Sequence, residues 1–281
     1  VRVIPNKYPA FTLDDFDSAA PVSEDSKLHA AAHFENPTDD EALFVNRPAR
    51  GRHEVVIESS QHVESFSRLS DDQAFWTFCA YRDRLRVFRQ DFRLAAAAVF
   101  KNFGADAGAS LVHAHSQAMG VPFVPESLGR ELDGSAAFFR RHGRCVFCAL
   151  AERETACEAR VVAQSDRFVV ICPYASRFAY EMWILPRVHA PHFESSDDAM
   201  LREAALLLRQ VIQAMEGILD GPAYNFILHT SPFDTDRFDH YHWHIELFPR
   251  VSKAAGLEWG FAWHLNAVAP EVAALALRRE I

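Results

Sequence analysis

No apolar run in these 281 residues approaches the ~20 residues that a membrane-crossing helix needs, so no membrane partner is expected. No basic, apolar leader is expected from the residues at the start of the given sequence, which begins at Val1 and not at Met. Positive charge is in short supply. Lys and Arg number 29 against 38 Asp and Glu, a formal net charge of −9, which argues against a surface that coats nucleic acid. Any phosphate site must then be a local arrangement of loops and a few basic groups. Cysteine is sparse and odd in number, five in all, which points away from a disulfide framework and towards a reducing, cytoplasmic setting. The remainder, 49% hydrophobic and 24% charged, is the composition of a soluble globular protein, long enough for one large domain or two ordinary ones.

Histidine, by contrast, is abundant, with fourteen in the chain. Two stand in Ser110-Leu111-Val112-His113-Ala114-His115-Ser116-Gln117. Read as a strand, this stretch puts His113, His115 and Gln117 on one face. Upstream, residues 101–109 form a loop of small residues with two glycines, where backbone N–H groups can approach an anion. Imidazoles beside an anion-binding loop point to chemistry on a phosphate. A pair of histidines on a half-buried strand is the plainer alternative.

The order of elements tips that balance, because it occurs twice. A short β-like run over 1–9 precedes an irregular excursion over 11–46 with room for one hairpin. A strand over 54–58, the single His62, a helix capped by Ser70 with Gln73 three residues on, and a strand over 94–100 lead to the first HxH. Phe75, Phe78, Cys79, Leu85 and Phe88 form the helix's apolar face, best read as core. The second half repeats this with strands over 168–172 and 181–185, then His189. A helix starting near Asp197 follows, striped by Leu201, Ala204, Leu208, Val211, Ile212 and Met215 and stopped at Gly221. A strand over 224–228 then leads to His242-Trp243-His244-Ile245-Glu246. His62 and His113 are 51 residues apart, and His189 and His242 are 53 apart. An internal duplication explains this best, with units over 1–125 and 126–281. The copies differ where it matters: the first carries the glycine loop and ends in Gln117, the second ends in Glu246. The first is therefore expected to be catalytic and the second supporting.

Cys145 and Cys148 in CxxC spacing supply two ligands of a tetrahedral zinc site, and His189 and His242 would complete a Cys₂His₂ set. Four protein ligands close the site, so its role would be structural. His192, His229 and His240 are rival ligands, and free or redox-active thiols are the alternative to a metal. By the repeat, His62 and His113 form the matching pair in the first half.

Taken together, Asn6, Gly51-Arg52-His53-Glu54-Val55, His62, Phe100-Lys101-Asn102-Phe103-Gly104, Gly108-Ala109-Ser110, the HxHxQ motif ending at Gln117 and the HxHxE motif ending at Glu246 resemble the galactose-1-phosphate uridylyltransferase family of the histidine-triad superfamily. The resemblance spans nearly the whole chain. It implies an α+β fold of two tandem histidine-triad-like units, with antiparallel sheets forming a half-barrel and helices packed outside. It also implies that His115 is the nucleophile and that His113 and His62 are zinc ligands. Asn102, Ser110 and Gln117 would hold phosphoryl oxygens, with Gly108 amides beside them, and Asn6 would lie by the nucleoside. A homodimer is implied as well. The family's N-terminal CxxC pair has no counterpart in these residues, and Lys7 stands where typical uridylyltransferases carry Asp.

The residue types suit the chemistry. A neutral imidazole is a good nucleophile near pH 7, and Ser110, Gln117 and loop amides can donate to the charge that develops on phosphorus oxygens. Gln117 holds charge and does not itself transfer a proton. The expected substrates are a nucleoside diphosphate sugar and a sugar 1-phosphate. Uridylyl exchange between UDP-glucose and galactose 1-phosphate is the leading expectation. ADP-glucose phosphorylase, with phosphate as acceptor, is the alternative, and Ser116 within HxHSQ and the CxxC at Cys145 favour it. From other classes, a zinc-dependent phosphoesterase would use His113 and His115 together as metal ligands, and a non-catalytic nucleotide-binding protein would need no nucleophile.

Overall fold

The computed structural model describes residues 1–13, 49–233 and 238–281. Beyond Leu13, the excursion expected over 11–46, with its hairpin, lies outside the described residues. The elements are β1 (Arg2–Pro5), β2 (Arg52–Ile57), α1 (Asp71–Gln90), β3 (Ala96–Phe103), β4 (His115–Val121), α2 (Glu126–His142), α3 (Val146–Cys157), β5 (Val161–Gln164), β6 (Phe168–Ile171), β7 (Met182–Pro186), α4 (Asp198–Ile218), β8 (Tyr224–His229), β9 (His244–Pro249), α5 (Gly256–Phe261) and α6 (Pro270–Arg278).

The fold is α+β. The expected antiparallel sheets join as one nine-stranded sheet of order β1-β2-β4-β3-β8-β9-β7-β6-β5. The halves meet where β3 pairs antiparallel with β8, Val99 opposite Leu228 and Asn102 opposite Asn225. On either side of that seam the order mirrors itself: β4 and β2 lie outward of β3 as β9 and β7 lie outward of β8.

Local sequence explains the two long helices. The Ser70 hydroxyl accepts from the Gln73 amide at 3.2 Å while the Gln73 side chain accepts from the Ser70 amide at 2.9 Å, a reciprocal cap that satisfies two otherwise orphaned donors. Asp197 caps α4 by accepting from the Met200 amide at 2.7 Å. The apolar stripes of α1 and α4 pack on one face of the sheet in a single core with Val99, Ala118, Phe226 and Ile245. Each large side chain so buried contributes about 1.5–3 kcal/mol.

The opposite face is covered unequally. In the second half α2 and α3 lie over it, and Phe147 and Leu128 pack with Val169, Ile171 and Leu185. Strand β6 is therefore buried on both faces, Phe168 and Val170 to one side and Val169 and Ile171 to the other, which is why it reads as an unbroken apolar run. Neither α2 nor α3 was expected from the sequence.

Two boundaries differ in the same way. The strand expected over 110–117 begins only at His115, and its counterpart over 242–248 begins only at His244. Leu111 and Val112, whose apolar character suggested a strand, are 62% and 63% exposed. At 113–114 the chain is pinned elsewhere, by the Ala114 amide donating to the Val63 carbonyl at 2.7 Å. His113 therefore does not share a strand row with His115 and Gln117.

Candidate active site and metal centre

Strand β4 alternates cleanly. Ser116 and Ala118 face α1, while His115 and Gln117 face the side that α2 and α3 leave open. There they line a cavity of about 970 Å³ with Asn6, Val55, Ile57 and Ser110. His113 also lines it. The loop before β4 turns through Gly104 (φ 80°) and Gly108 (φ 82°). At Gly104 a side chain is excluded twice over, by the left-handed φ and because a Cβ would sit 2.8 Å from that of Ala223.

His115 is fixed at both its ring and its backbone. Its Nδ1 lies 2.8 Å from the His113 carbonyl. A carbonyl only accepts, so Nδ1 carries the proton and Nε2 keeps its lone pair. The His115 carbonyl accepts from Lys101 Nζ at 2.8 Å, and Lys101 pairs with Glu58 at 2.7 Å. Lys101 and Glu58 are 1% and 0% exposed at their side chains. Burial lowers the Lys101 pKa, and Glu58 opposes that shift. Tyr81 of α1 closes the network, donating to Ser116 at 2.7 Å and to Glu58 at 3.3 Å.

Of the other expected site residues, Asn102 and Gly108 do not line this cavity. Asn102 accepts from Asn225 of β8 at 2.7 Å, and the same Asn225 amide donates to the Ala107 carbonyl at 3.0 Å. A residue of the second half thus ties down the glycine loop of the first. His113 Nε2 lies 2.8 Å from the Ser59 carbonyl, which leaves Nδ1 facing His62 Nδ1 at 3.4 Å. His62 borders a separate cavity of about 810 Å³. Among the described residues no third ligand joins this pair.

The second half holds two groups able to bind a metal ion. Ligand atoms of Cys145, Cys148, His189 and His242 all lie within 4.8 Å of one another. Cys145 caps the N-terminus of α3, and Cys148 Sγ is 3.4 Å from Nδ1 of both histidines. The Phe238 carbonyl, 3.0 Å from His189 Nε2, orients that ring. A hydrogen bond from Cys148 holds Cys145 as a thiolate far below the usual thiol range, and His189 and His242 add to this. Two sulfur and two imidazole donors converging on one point fit a tetrahedral ion. Of the rivals, His192 pairs with Glu194 and Arg89, and His240 meets Phe139 and Phe238 edge-to-face.

His229 belongs to the other group, with Glu131 of α2 and His244 of β9. His244 repeats the geometry of His115, its Nδ1 lying 3.1 Å from the His242 carbonyl. Its surroundings do not. His244 is fully buried, stacked on Phe147 at 4.7 Å and on His229 at 4.8 Å, with Nε2 at 3.2 Å from Glu131. Burial disfavours the imidazolium, but Glu131 and Glu246 outweigh it and raise the His244 pKa. Burial likewise pushes Glu246 up, yet the His229 hydrogen bond and the charges of Arg177 and His244 hold it well below the carboxylate range.

Sequence reasoning missed Lys101 and Glu58 as an ion pair, Tyr81 as its partner, and Asn225, Glu131 and His53 as contacts of the site.

A fixed imidazole thus opens on a cavity that Ser110 and Gln117 also line, and the chain is similar to known nucleotidyltransferases. Residues 6–125 match the N-terminal domain of galactose-1-phosphate uridyl transferase. An ADP-glucose phosphorylase from Arabidopsis thaliana is 31% identical over 281 residues, 99% of this chain and 74% of the relative. A galactose-1-phosphate uridylyltransferase from Thermotoga maritima is 27% identical over 84% of this chain and 76% of its own length. The crystal structure of the Arabidopsis thaliana ADP-glucose phosphorylase with bound ADP-glucose superposes with a TM-score of 0.81 at 30% identity, covering 99% of this chain and 81% of that one. The chain belongs to the galactose-1-phosphate uridylyltransferase family and is a nucleotidyltransferase of carbohydrate metabolism.

Proposed function

We propose that the protein transfers a nucleoside monophosphate from a nucleoside diphosphate sugar by way of a covalent nucleotidyl-His115. The observation that carries this is the protonated Nδ1 held by the His113 carbonyl, which leaves the Nε2 lone pair free. Nε2 attacks the α-phosphorus, an N–P bond forms, and the P–O bond to the β-phosphate breaks, its electron pair leaving with the sugar 1-phosphate. An acceptor oxygen then attacks the same phosphorus and the N–P bond breaks, so the kinetics are ping-pong. Gln117 and Ser110 donate to the non-bridging oxygens, the Gly108 amide and Asn102 support the loop that faces them, and Asn6 lies beside the nucleoside.

ADP-glucose with inorganic phosphate as acceptor is the substrate pair best supported, because the 31% identity to the Arabidopsis enzyme extends over 99% of this chain. The products are glucose 1-phosphate and ADP. The match of residues 6–125 to the uridyl transferase N-terminal domain favours a second reading, UDP-glucose with galactose 1-phosphate.

The metal held by Cys145, Cys148, His189 and His242 is zinc, which supplies a closed structural cross-link between α3 and the loops before α4 and β9. His62 and His113 are the corresponding ligands in the first unit. Residues 1–125 and 126–281 act as catalytic and supporting units. Free thiols suit a cytoplasmic setting. The strongly exposed Trp259, Phe261 and Trp263 suit a homodimer, which sedimentation would reveal.

Intact-mass spectrometry after brief exposure to ADP-glucose or UDP-glucose, with no acceptor present, tests the mechanism. One AMP or UMP added to the wild type and none to His115→Ala is the expected result and names the base. Turnover with no adduct would sink the nucleophile assignment.

A further inference from the structure

His53 carries no role in the reaction proposed above, yet it is buried and touches the machinery directly. It sits on β2, two residues from Val55, which pairs with Gln117 of β4. His53 and Gln117 are therefore diagonal neighbours on one face of the sheet, within reach of long side chains.

Three contacts settle the ring's protonation. The Ala10 amide donates to His53 Nδ1 at 3.0 Å. That nitrogen must therefore hold a lone pair, and a neutral imidazole then carries its proton on Nε2. Nε2 lies 2.6 Å from Gln117 Oε1, an atom that can only accept. Asn6 Nδ2 is also near, at 3.0 Å from Nε2 and 3.4 Å from Nδ1. Being close to both nitrogens at once, it sits beside the ring and on the axis of neither lone pair. The Tyr8 amide, donating to Asn6 Oδ1 at 2.9 Å, keeps the Asn6 carboxamide in that orientation.

From this the geometry points to His53 as a positioning residue that orients the Gln117 carboxamide. With its oxygen occupied by His53 Nε2–H, Gln117 must turn its NH₂ towards the cavity it lines with His115. A carboxamide has two faces of opposite polarity, and free rotation would present the oxygen to a phosphoryl group as often as the nitrogen. An oxygen there repels the charge that develops on the transferred phosphoryl, whereas the NH₂ stabilises it. His53 removes the wrong orientation before substrate arrives. The inference rests on His115 as nucleophile, since that is what makes Gln117 face a phosphoryl group.

His53 also clips the 6–10 segment through Ala10, so a single truncation would mix two roles. Two substitutions separate them. In His53→Asn the side-chain oxygen falls near the former Nδ1 and can still accept from Ala10, but nothing reaches Gln117. In His53→Gln the amide nitrogen falls near the former Nε2 and can still donate to Gln117, while the Ala10 contact is lost. Single-turnover nucleotidylation of His115 at saturating ADP-glucose and UDP-glucose should slow roughly 10- to 100-fold in His53→Asn. It should recover to within about threefold of wild type in His53→Gln, with KM little moved in either. Gln117→Ala combined with His53→Asn should be no slower than Gln117→Ala alone. His53→Gln as slow as His53→Asn, or losses that multiply in the double variant, would overturn the assignment. Ring ¹⁵N NMR decides separately: His53, assigned by the signal missing in His53→Gln, should bear its proton on Nε2, with a shift that moves in Gln117→Ala. A proton on Nδ1 overturns the orientation. If the wild type takes up no nucleotide from either donor, the covalent mechanism fails, and the NMR result still stands or falls alone.

Discussion

The two HxH strands are built alike and finished differently. In each, the second histidine opens a strand and its Nδ1 faces the carbonyl of the first, at 2.8 Å for His115 and 3.1 Å for His244. His115 faces an open cavity. His244 lies under Phe147 of α3 with Glu131 of α2 against its Nε2. The backbone motif is thus not what separates an accessible imidazole from a covered one. Cover is: helices α2 and α3, inserted between β4 and β5, lie over the face that the first half leaves open. An imidazole pressed between an aromatic ring and a carboxylate has neither access nor a free lone pair.

The largest effect expected from this contrast is between His115→Ala and His244→Ala. The first should slow nucleotide transfer by at least about 10⁴-fold with little change in melting temperature. The second should leave covalent labelling of His115 in place but destabilise the fold, because it opens a cavity under Phe147 and removes the partner of the half-buried Glu131. Rates and melting curves on both variants check this. Loss of labelling in a folded His244→Ala would break the division of labour.

Next in size is the metal. With zinc bound at Cys145, Cys148, His189 and His242, a stringent chelator or Cys148→Ser should remove several kcal/mol. At about 2–4 °C per kcal/mol for a chain of this size, the melting temperature should fall by roughly 10 °C. Elemental analysis should give one zinc for this site. An unchanged melting temperature after complete removal would deny it a structural role.

The buried Lys101–Glu58 pair is the first half's own support. Lys101→Met leaves a carboxylate unpaired in the core and should cost about 3–5 kcal/mol, whereas Lys101→Met with Glu58→Leu should recover much of that loss. If the pair also sets the His115 backbone through its carbonyl, the double variant will be stable yet slow to label. Stability and labelling rate measured side by side separate the two contributions.

Much of this was legible in the residues, for reasons that can be stated. The cap at Ser70 and Gln73 and the stripe from Leu201 to Met215 are local signals, and both became the helices they predict. The duplication was visible because spacing survives where identity does not. Helix α2 went unread although Leu128, Leu132 and Phe139 share one of its faces: Gly129 and Gly134 interrupt it, and only Leu128 and Ser135 are buried. Glu131 went unseen with it. His53 against Gln117 and Lys101 against Glu58 are cross-strand contacts between positions 64 and 43 residues apart. No periodicity links such positions, and only the register of β2, β3 and β4 brings them together. His113 was misplaced into a strand because Leu111 and Val112 look like core and are surface.

The smallest effect comes from Glu246→Gln, which gives the second strand the HxHxQ pattern of the first. If pattern alone made the nucleophile, this variant would acquire a second nucleotide adduct. With Phe147 and Glu131 still covering His244, none is expected, and intact mass decides. Its effect on stability should depend on pH with a definite sign. Glu246 is held below the ordinary carboxylate range by His229, Arg177 and His244 against the opposing effect of burial. A carboxylate with a depressed folded-state pKa contributes stability above its unfolded value of about 4.3 and loses it as pH falls through the folded value. The melting-temperature gap between wild type and Glu246→Gln should therefore be full at neutral pH and close as pH drops below about 4. A gap that stays constant into acid would mean that packing, and not the charge of Glu246, holds the covered strand together.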